Sequence, residues 1–156
     1  MAHAFRNERY LALDTNVLVQ FLISDAPRNE RLRFLENATH LTCPAVLHDA
    51  YHTCVFKLHL NPAETAKILK KYAEESMVVP IDVKTSMAGL DVAAMHNMGG
   101  REALILASYA SAGRFLPNLG SQITFLSLDR DLLRLKKLSI SGTTITLLSP
   151  HSYRSS

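Results

Sequence analysis

Two aspartates stand where short apolar runs stop. Leu11-Ala12-Leu13-Asp14 and Phe125-Leu126-Ser127-Leu128-Asp129 each read as a buried strand that ends in a carboxylate. In open parallel sheets the ligand crevice lies beyond the C-terminal strand ends, so both side chains are expected to point into it. The plainer role for each is to cap the helix that follows, which aspartate does well. A third acid, Glu102, opens the segment Glu102-Ala103-Leu104-Ile105-Leu106-Ala107-Ser108-Tyr109. On a helix, Ile105, Leu106 and Tyr109 share its face, which sets the carboxylate in line with an apolar stripe. A carboxylate buried there needs a cation, a basic partner or a raised pKa; a first-turn glutamate emerging at the end of the stripe is the alternative. Acids gathered in this way are the ligand type of a hard divalent cation. A different chemistry is written in His48-Asp49-Ala50-Tyr51-His52, two histidines at i and i+4 beside an acid. That spacing binds zinc in His-Glu-x-x-His hydrolases, although His59 is the sole third ligand in reach and three ligands on one straight helix converge poorly.

Positioning these residues requires alternating strands and helices. Tyr10–Leu13, 40–43, 77–81, 123–128 and 143–148 read as strands. Helices are expected from Asp25 and Pro27 to Ala38, over 45–58, from the cap Asn61-Pro62 to Glu75, over 85–97, over 102–112 and, short and basic, over 131–137. Strands separated by helices imply crossovers and a mainly parallel sheet covered on both faces, an α/β class. The length suits one domain over 1–156, with a core from about 10 to 148. Hydrophobic residues at 47% and charged residues at 20% exclude a disordered chain. Two cysteines form neither a disulfide scaffold nor a zinc knuckle. Apolar stretches are too short to span a membrane and the N-terminus lacks the core of a secretory signal, so a cytoplasmic location is expected. A net charge of +3 permits a polyanionic partner without requiring one.

Taken in order, the motifs resemble those of PIN-domain ribonucleases, in particular the VapC-type toxins of prokaryotic toxin–antitoxin pairs. Leu13-Asp14-Thr15-Asn16-Val17-Leu18-Val19 is similar to the opening motif of that family, and Pro44-Ala45-Val46-Leu47-His48-Asp49 to its second. Glu102-Ala103-Leu104-Ile105 is similar to the third, and Ser127-Leu128-Asp129-Arg130-Asp131 to the last. The family usually carries Glu at the second position and Asp at the third; here Asp49 and Glu102 exchange those types. The segment 113–121 is longer than the usual connection.

The resemblance implies a three-layer α/β/α fold and an endoribonuclease whose acids, here Asp14, Asp49, Glu102 and Asp129, hold Mg²⁺ or Mn²⁺. It is the resemblance alone that moves Asp49 inward, since it lies about 140° from the apolar stripe of its own helix. Asn16 and Ser127 are expected to orient the acids by hydrogen bonds. Asp131 is a further ligand or, by preference, a helix cap. Arg101, Arg130 and Arg134 are candidate phosphate contacts, with Arg114, Lys136 and Lys137 nearby. The implied partners are RNA, structured RNA such as tRNA included, a small antitoxin and a second copy of the chain. Phe34, Leu35 and Tyr72 are candidates for the contact surface, with core packing their favoured role. The scattered Tyr and Phe offer no evident base-stacking platform. The competing reading is a PIN-like module that holds RNA or a partner without cutting.

Overall fold

A computed structural model describes residues 10–23, 32–116, 119 and 122–154. Strand β1 (Tyr10–Leu13) runs into helix α1 (Thr15–Ile23), and a 3-10 turn over Arg33–Asn37 precedes β2 (Thr39–Thr42). Helix α2 (Pro44–His52) continues as a π turn over Thr53–Lys57, and α3 (Pro62–Glu74) leads to the short β3 (Met77–Val78). Helices α4 (Val83–His96) and α5 (Gly100–Ala110) follow. Then come β4 (Gln122–Leu126), α6 (Arg130–Leu133), β5 (Lys137–Ile140), β6 (Thr143–Leu148) and α7 (Pro150–Arg154).

These strands form one six-stranded sheet in the order β3-β2-β1-β4-β6-β5, parallel except for the β5–β6 hairpin. The expected α/β architecture is therefore present. The chain builds outward from β1 through β2 to β3, then returns to β4 on the other side of β1. Strands β1 and β4 thus flank the switch point at which a doubly wound sheet opens its crevice.

Several elements differ from the sequence reading. The segment after Asp14 is a helix, α1, whose Val17, Leu18 and Val19 are all buried. After Thr15, only Asn16 and Gln20, one turn apart, break its apolar run, which is too faint a 3.6-residue signal in so short a helix. Of the helix expected over 25–38, Leu32 is helical and Arg33–Asn37 form a 3-10 turn, and the cap at Asp25 and Pro27 lies outside the described residues. Strand β4 stops at Leu126, two residues early; the Ser127 N–H still donates to the Leu148 carbonyl at 3.0 Å, while its hydroxyl turns to Asp14 and to the Asp129 N–H. The short basic helix expected over 131–137 is Arg130–Leu133, and residues 137–140, of which the last three carried no assignment, form a strand. They pair with β6 across Ser141 (φ 50°) and Gly142 (φ 83°), a turn with two left-handed residues that matches the twist of a hairpin. The cap at Asn61 is as expected, its Oδ1 accepting the Glu64 N–H at 3.0 Å.

Three contacts tie the layers to the sheet near the switch point. The Tyr109 hydroxyl, fully buried on α5, donates to the Leu13 carbonyl at 3.0 Å and fixes that helix to the end of β1. On α4, Gly89 lies against the backbone of α5; a Cβ there would stand 3.2 Å from Leu104 Cα, so the absent side chain allows the close crossing. At the far end of this helix pair, Arg114 donates both terminal nitrogens to Asp82, the cap of α4, and one of them also to Thr85 Oγ1. Arg114 thereby joins the end of α5 to the start of α4. Behind β2, His40 is buried between the Leu35 carbonyl and the Tyr72 hydroxyl, against the Phe21 ring.

Removing only the Tyr109 hydroxyl leaves the Leu13 carbonyl buried without its partner. Tyr109→Phe is expected to lower unfolding free energy by about 1–2 kcal/mol in denaturant titrations.

Candidate functional site

Asp14 follows the last residue of β1, and its backbone N–H donates to the Leu126 carbonyl at 2.9 Å, extending the β1–β4 pairing by one residue. Its Oδ1 accepts the Thr15 N–H at 2.8 Å and its Oδ2 accepts the Ser127 hydroxyl at 2.7 Å. The same Ser127 oxygen accepts the Asp129 N–H at 3.0 Å. One buried hydroxyl therefore links the two strand-end aspartates. Asp129 Oδ1 in turn accepts the N–H groups of Asp131 and Leu132 at 2.9 and 3.3 Å and caps α6. The two roles foreseen for it, cap and crevice acid, are compatible, since capping uses one oxygen.

Glu102 occupies the first turn of α5, after the Gly99-Gly100 corner. The residue as a whole is exposed, so it follows the emerging-glutamate alternative and is not sunk in the apolar stripe. Its carboxylate nevertheless meets the other acids. Partial burial, then the charges of Asp129 and Asp14 and a hydrogen bond with Asp129, push its pKa above the ordinary glutamate value, with Arg101 opposing. Burial also raises the Asp14 pKa, against the Ser127 and Thr15 hydrogen bonds, and Asp129 and Asp49 add to the rise. Asp14, Glu102 and Asp129 are thus one electrostatic unit.

Asp49 lies on α2 facing this group, as the resemblance implied and the helix periodicity did not. Its Oδ2 accepts the Thr15 hydroxyl at 2.8 Å, and its Oδ1 pairs with Arg101 Nη1 at 2.8 Å. Thr15, missed as a site residue, joins two acids at once through its N–H and its hydroxyl. Its signal was in the sequence: a hydroxyl residue between Asp14 and Asn16, at the first position of a helix that had gone unrecognised.

Other expectations need correction. Asn16 is exposed and bonds to neither acid, because Thr15 holds the position that faces them. Asp131 is neither ligand nor cap: the helix begins one residue earlier, and Asp131 is almost fully exposed, in a 3.5 Å pair with Arg134. Arg101 is engaged with Asp49, and Arg130 is exposed beside Asp129. The zinc reading gains no support: His48 Nδ1 bonds the Pro44 carbonyl, His52 stacks on Phe56 at 5.0 Å, and both rings are exposed. Leu35 and Tyr72 are buried in the core and Phe34 stacks on Tyr153 at 5.8 Å, so that surface is not free. The exposed apolar stripe lies instead on α4, at Val83, Met87 and Leu90.

Asp14, Glu102 and Asp129 offer hard anionic oxygens in mutual repulsion, the donor chemistry that fits Mg²⁺ or Mn²⁺. Side-chain placement is less closed than that chemistry: among the described residues, no three His, Cys, Asp or Glu side chains are gathered tightly enough to hold one ion. Asp49 is drawn aside by Arg101.

The direction of the Glu102 shift sets a pH dependence. A carboxyl whose folded pKa is raised favours the folded state below its unfolded value, about 4.3, and loses that contribution as pH rises through the folded value. Metal-free Glu102→Gln is therefore expected to melt slightly above the parent protein at pH 7, with the difference vanishing towards about pH 4. Thermal melts across that range measure it.

A family model of the PIN domain matches residues 11–138. Among solved structures, the fold is similar to VapBC2 from Rickettsia felis bound to a DNA fragment from their promoter. There the TM-score is 0.58 at 12% identity, over 90% of this chain and 99% of that one. A toxin–antitoxin complex from Klebsiella pneumoniae gives a TM-score of 0.59 at 12% identity, over 90% and 97% of the two chains. PAE2754 from Pyrobaculum aerophilum gives 0.55 at 18% identity, over 94% and 87%. No curated protein matches the sequence. Strand-end acids at the switch point of the sheet and a family model spanning most of the chain lead to one conclusion: the chain belongs to the PIN domain family.

Proposed function

We propose that the protein is a metal-dependent endoribonuclease of VapC type, the toxin of a toxin–antitoxin pair. The observation that carries the reading is the Asp14–Ser127–Asp129 linkage, with Glu102 coupled to both acids, at the switch point of a PIN fold. Likeness to toxin–antitoxin complexes, among them DNA-bound VapBC from Salmonella typhimurium at a TM-score of 0.56, supports the toxin assignment. The exchange of acid types between positions 49 and 102 is compatible with it. The longer Glu102 reaches Asp129 from outside the sheet, and the shorter Asp49 is held by Thr15.

In this reading Asp14, Glu102 and Asp129 hold Mg²⁺ or Mn²⁺, with Asp49 available as a fourth oxygen donor. The ion, when bound, supplies water activation and charge stabilisation at the phosphodiester. Ser127 and Thr15 keep the carboxylates aimed. Exposed Arg130 beside Asp129 suits an RNA phosphate. A small antitoxin would block the acidic crevice with a basic side chain, while the uncovered α4 stripe suits a second copy of the chain. No helix among the described residues is long and apolar enough to cross a membrane.

A second reading, a PIN-like module that holds RNA or a partner without cutting, is favoured by the Arg101–Asp49 pair and the open spacing of the acids. Purified protein separates the two. Mn²⁺ at millimolar concentration is expected to raise the melting temperature and to support RNA cleavage. Asp14→Asn should abolish both effects with the fold intact. RNA binding unchanged by Asp14→Asn, with no cleavage by the parent protein, would establish the module instead. Ser127→Ala, which removes the bridging hydroxyl and leaves every acid in place, is expected to lower cleavage or metal affinity by roughly 10- to 100-fold.

A further inference from the structure

The contact between Arg101 and Asp49 joins the first turn of α5 to α2 across 52 residues of sequence. Helix stability does not explain it. A cation in the first turn opposes the positive end of the helix dipole, so Arg101 is held there against α5's own preference. The two partners differ sharply in exposure, the Asp49 side chain at 16% and Arg101 at 68%. The arginine therefore covers an inward-facing acid from the solvent side. Asp49 gives one oxygen to the Arg101 cation and one to Thr15, whereas the Asp14 oxygens meet only neutral donors, the Thr15 N–H and the Ser127 hydroxyl.

Building on the metal-site reading above, we propose that Arg101 is a positioning residue that withholds Asp49 from the metal-binding set. The resting site then offers Asp14, Glu102 and Asp129, and Asp49 joins them when Arg101 lets go. The contact is suited to release: it is a single-point bond with one partner mostly in water, which puts it among the weak ion pairs. A phosphate group is the chemistry fitted to take the arginine away, because a guanidinium binds it through two parallel hydrogen bonds. A nucleic-acid phosphate entering the crevice would thus free a fourth carboxylate at the moment the site is occupied.

Calorimetric titration of the full chain with Mn²⁺ tests this without reference to activity. Four proteins are compared: the parent, Arg101→Gln, Asp49→Asn and the double variant. Arg101→Gln is expected to bind Mn²⁺ about threefold more tightly or better, the scale of an exposed ion pair, and to lose that gain in the Asp49→Asn background. A gain that persists undiminished without Asp49 reflects a general field of positive charge and overturns the proposal, as does no gain at all. Mn²⁺ binding by the parent protein, unchanged in Arg101→Gln, sinks this inference alone. Absence of binding in both sinks the metal-site reading with it. Arg101→Lys keeps the charge near Asp49, is expected to retain the parent affinity, and serves as the folded control.

Discussion

Two carboxylates of like charge are held side by side by one buried hydroxyl. Ser127 donates to Asp14 and accepts from the backbone of Asp129, so it couples the acids without adding charge of its own. Each hydrogen bond to an anion in a partly dry site is stronger than its counterpart in water. The arrangement works because β1 and β4 are adjacent and in register, with Leu13 opposite Leu126 and Asp14 bonded to Leu126. A slip of one residue would turn Ser127 to the other face of the sheet and part the two aspartates.

The rest of the fold serves that register. Sheet order places β1 and β4 at the centre, with β2 and β6 as outer neighbours and the short β3 and the β5 hairpin at the edges. Helix α5 is tied to the end of β1 through Tyr109, which brings Glu102 over the aspartates from outside the sheet. Three acids thus come from three separately anchored backbones. The repulsion among them is sustained by packing elsewhere, in a core that runs from Leu11 and Leu41 through Leu106 and Tyr109 to Ile145.

How much of this could be read in the sequence depended on the kind of constraint. Asp14 and Asp129 were legible because a strand is a short apolar run and its end is abrupt. Glu102 was legible as a crevice acid because helical periodicity fixes the face of a residue, but periodicity says nothing of depth along the axis. The first turn of α5 projects past the sheet, and Glu102 is accordingly exposed. Asp49 was illegible from its own helix and visible only through the resemblance to PIN ribonucleases. Its place is decided by Thr15 and Arg101, which are distant in sequence. Helix α1 was hard to read because its outer face is marked only by Asn16 and Gln20, a single helical repeat. The β5–β6 turn was written as Ser141-Gly142 and overlooked beside a basic run.

Gly89 touches none of the acids, yet its missing side chain sets how near α4 can lie to Leu104, two residues beyond Glu102. A single methyl group there would press on main chain, which unlike a flexible side chain has little room to swing aside. The spacer is one hydrogen atom wide. A helix that supplies no acid thus sets, through the space it leaves at Gly89, how closely it lies against the helix that carries the third one.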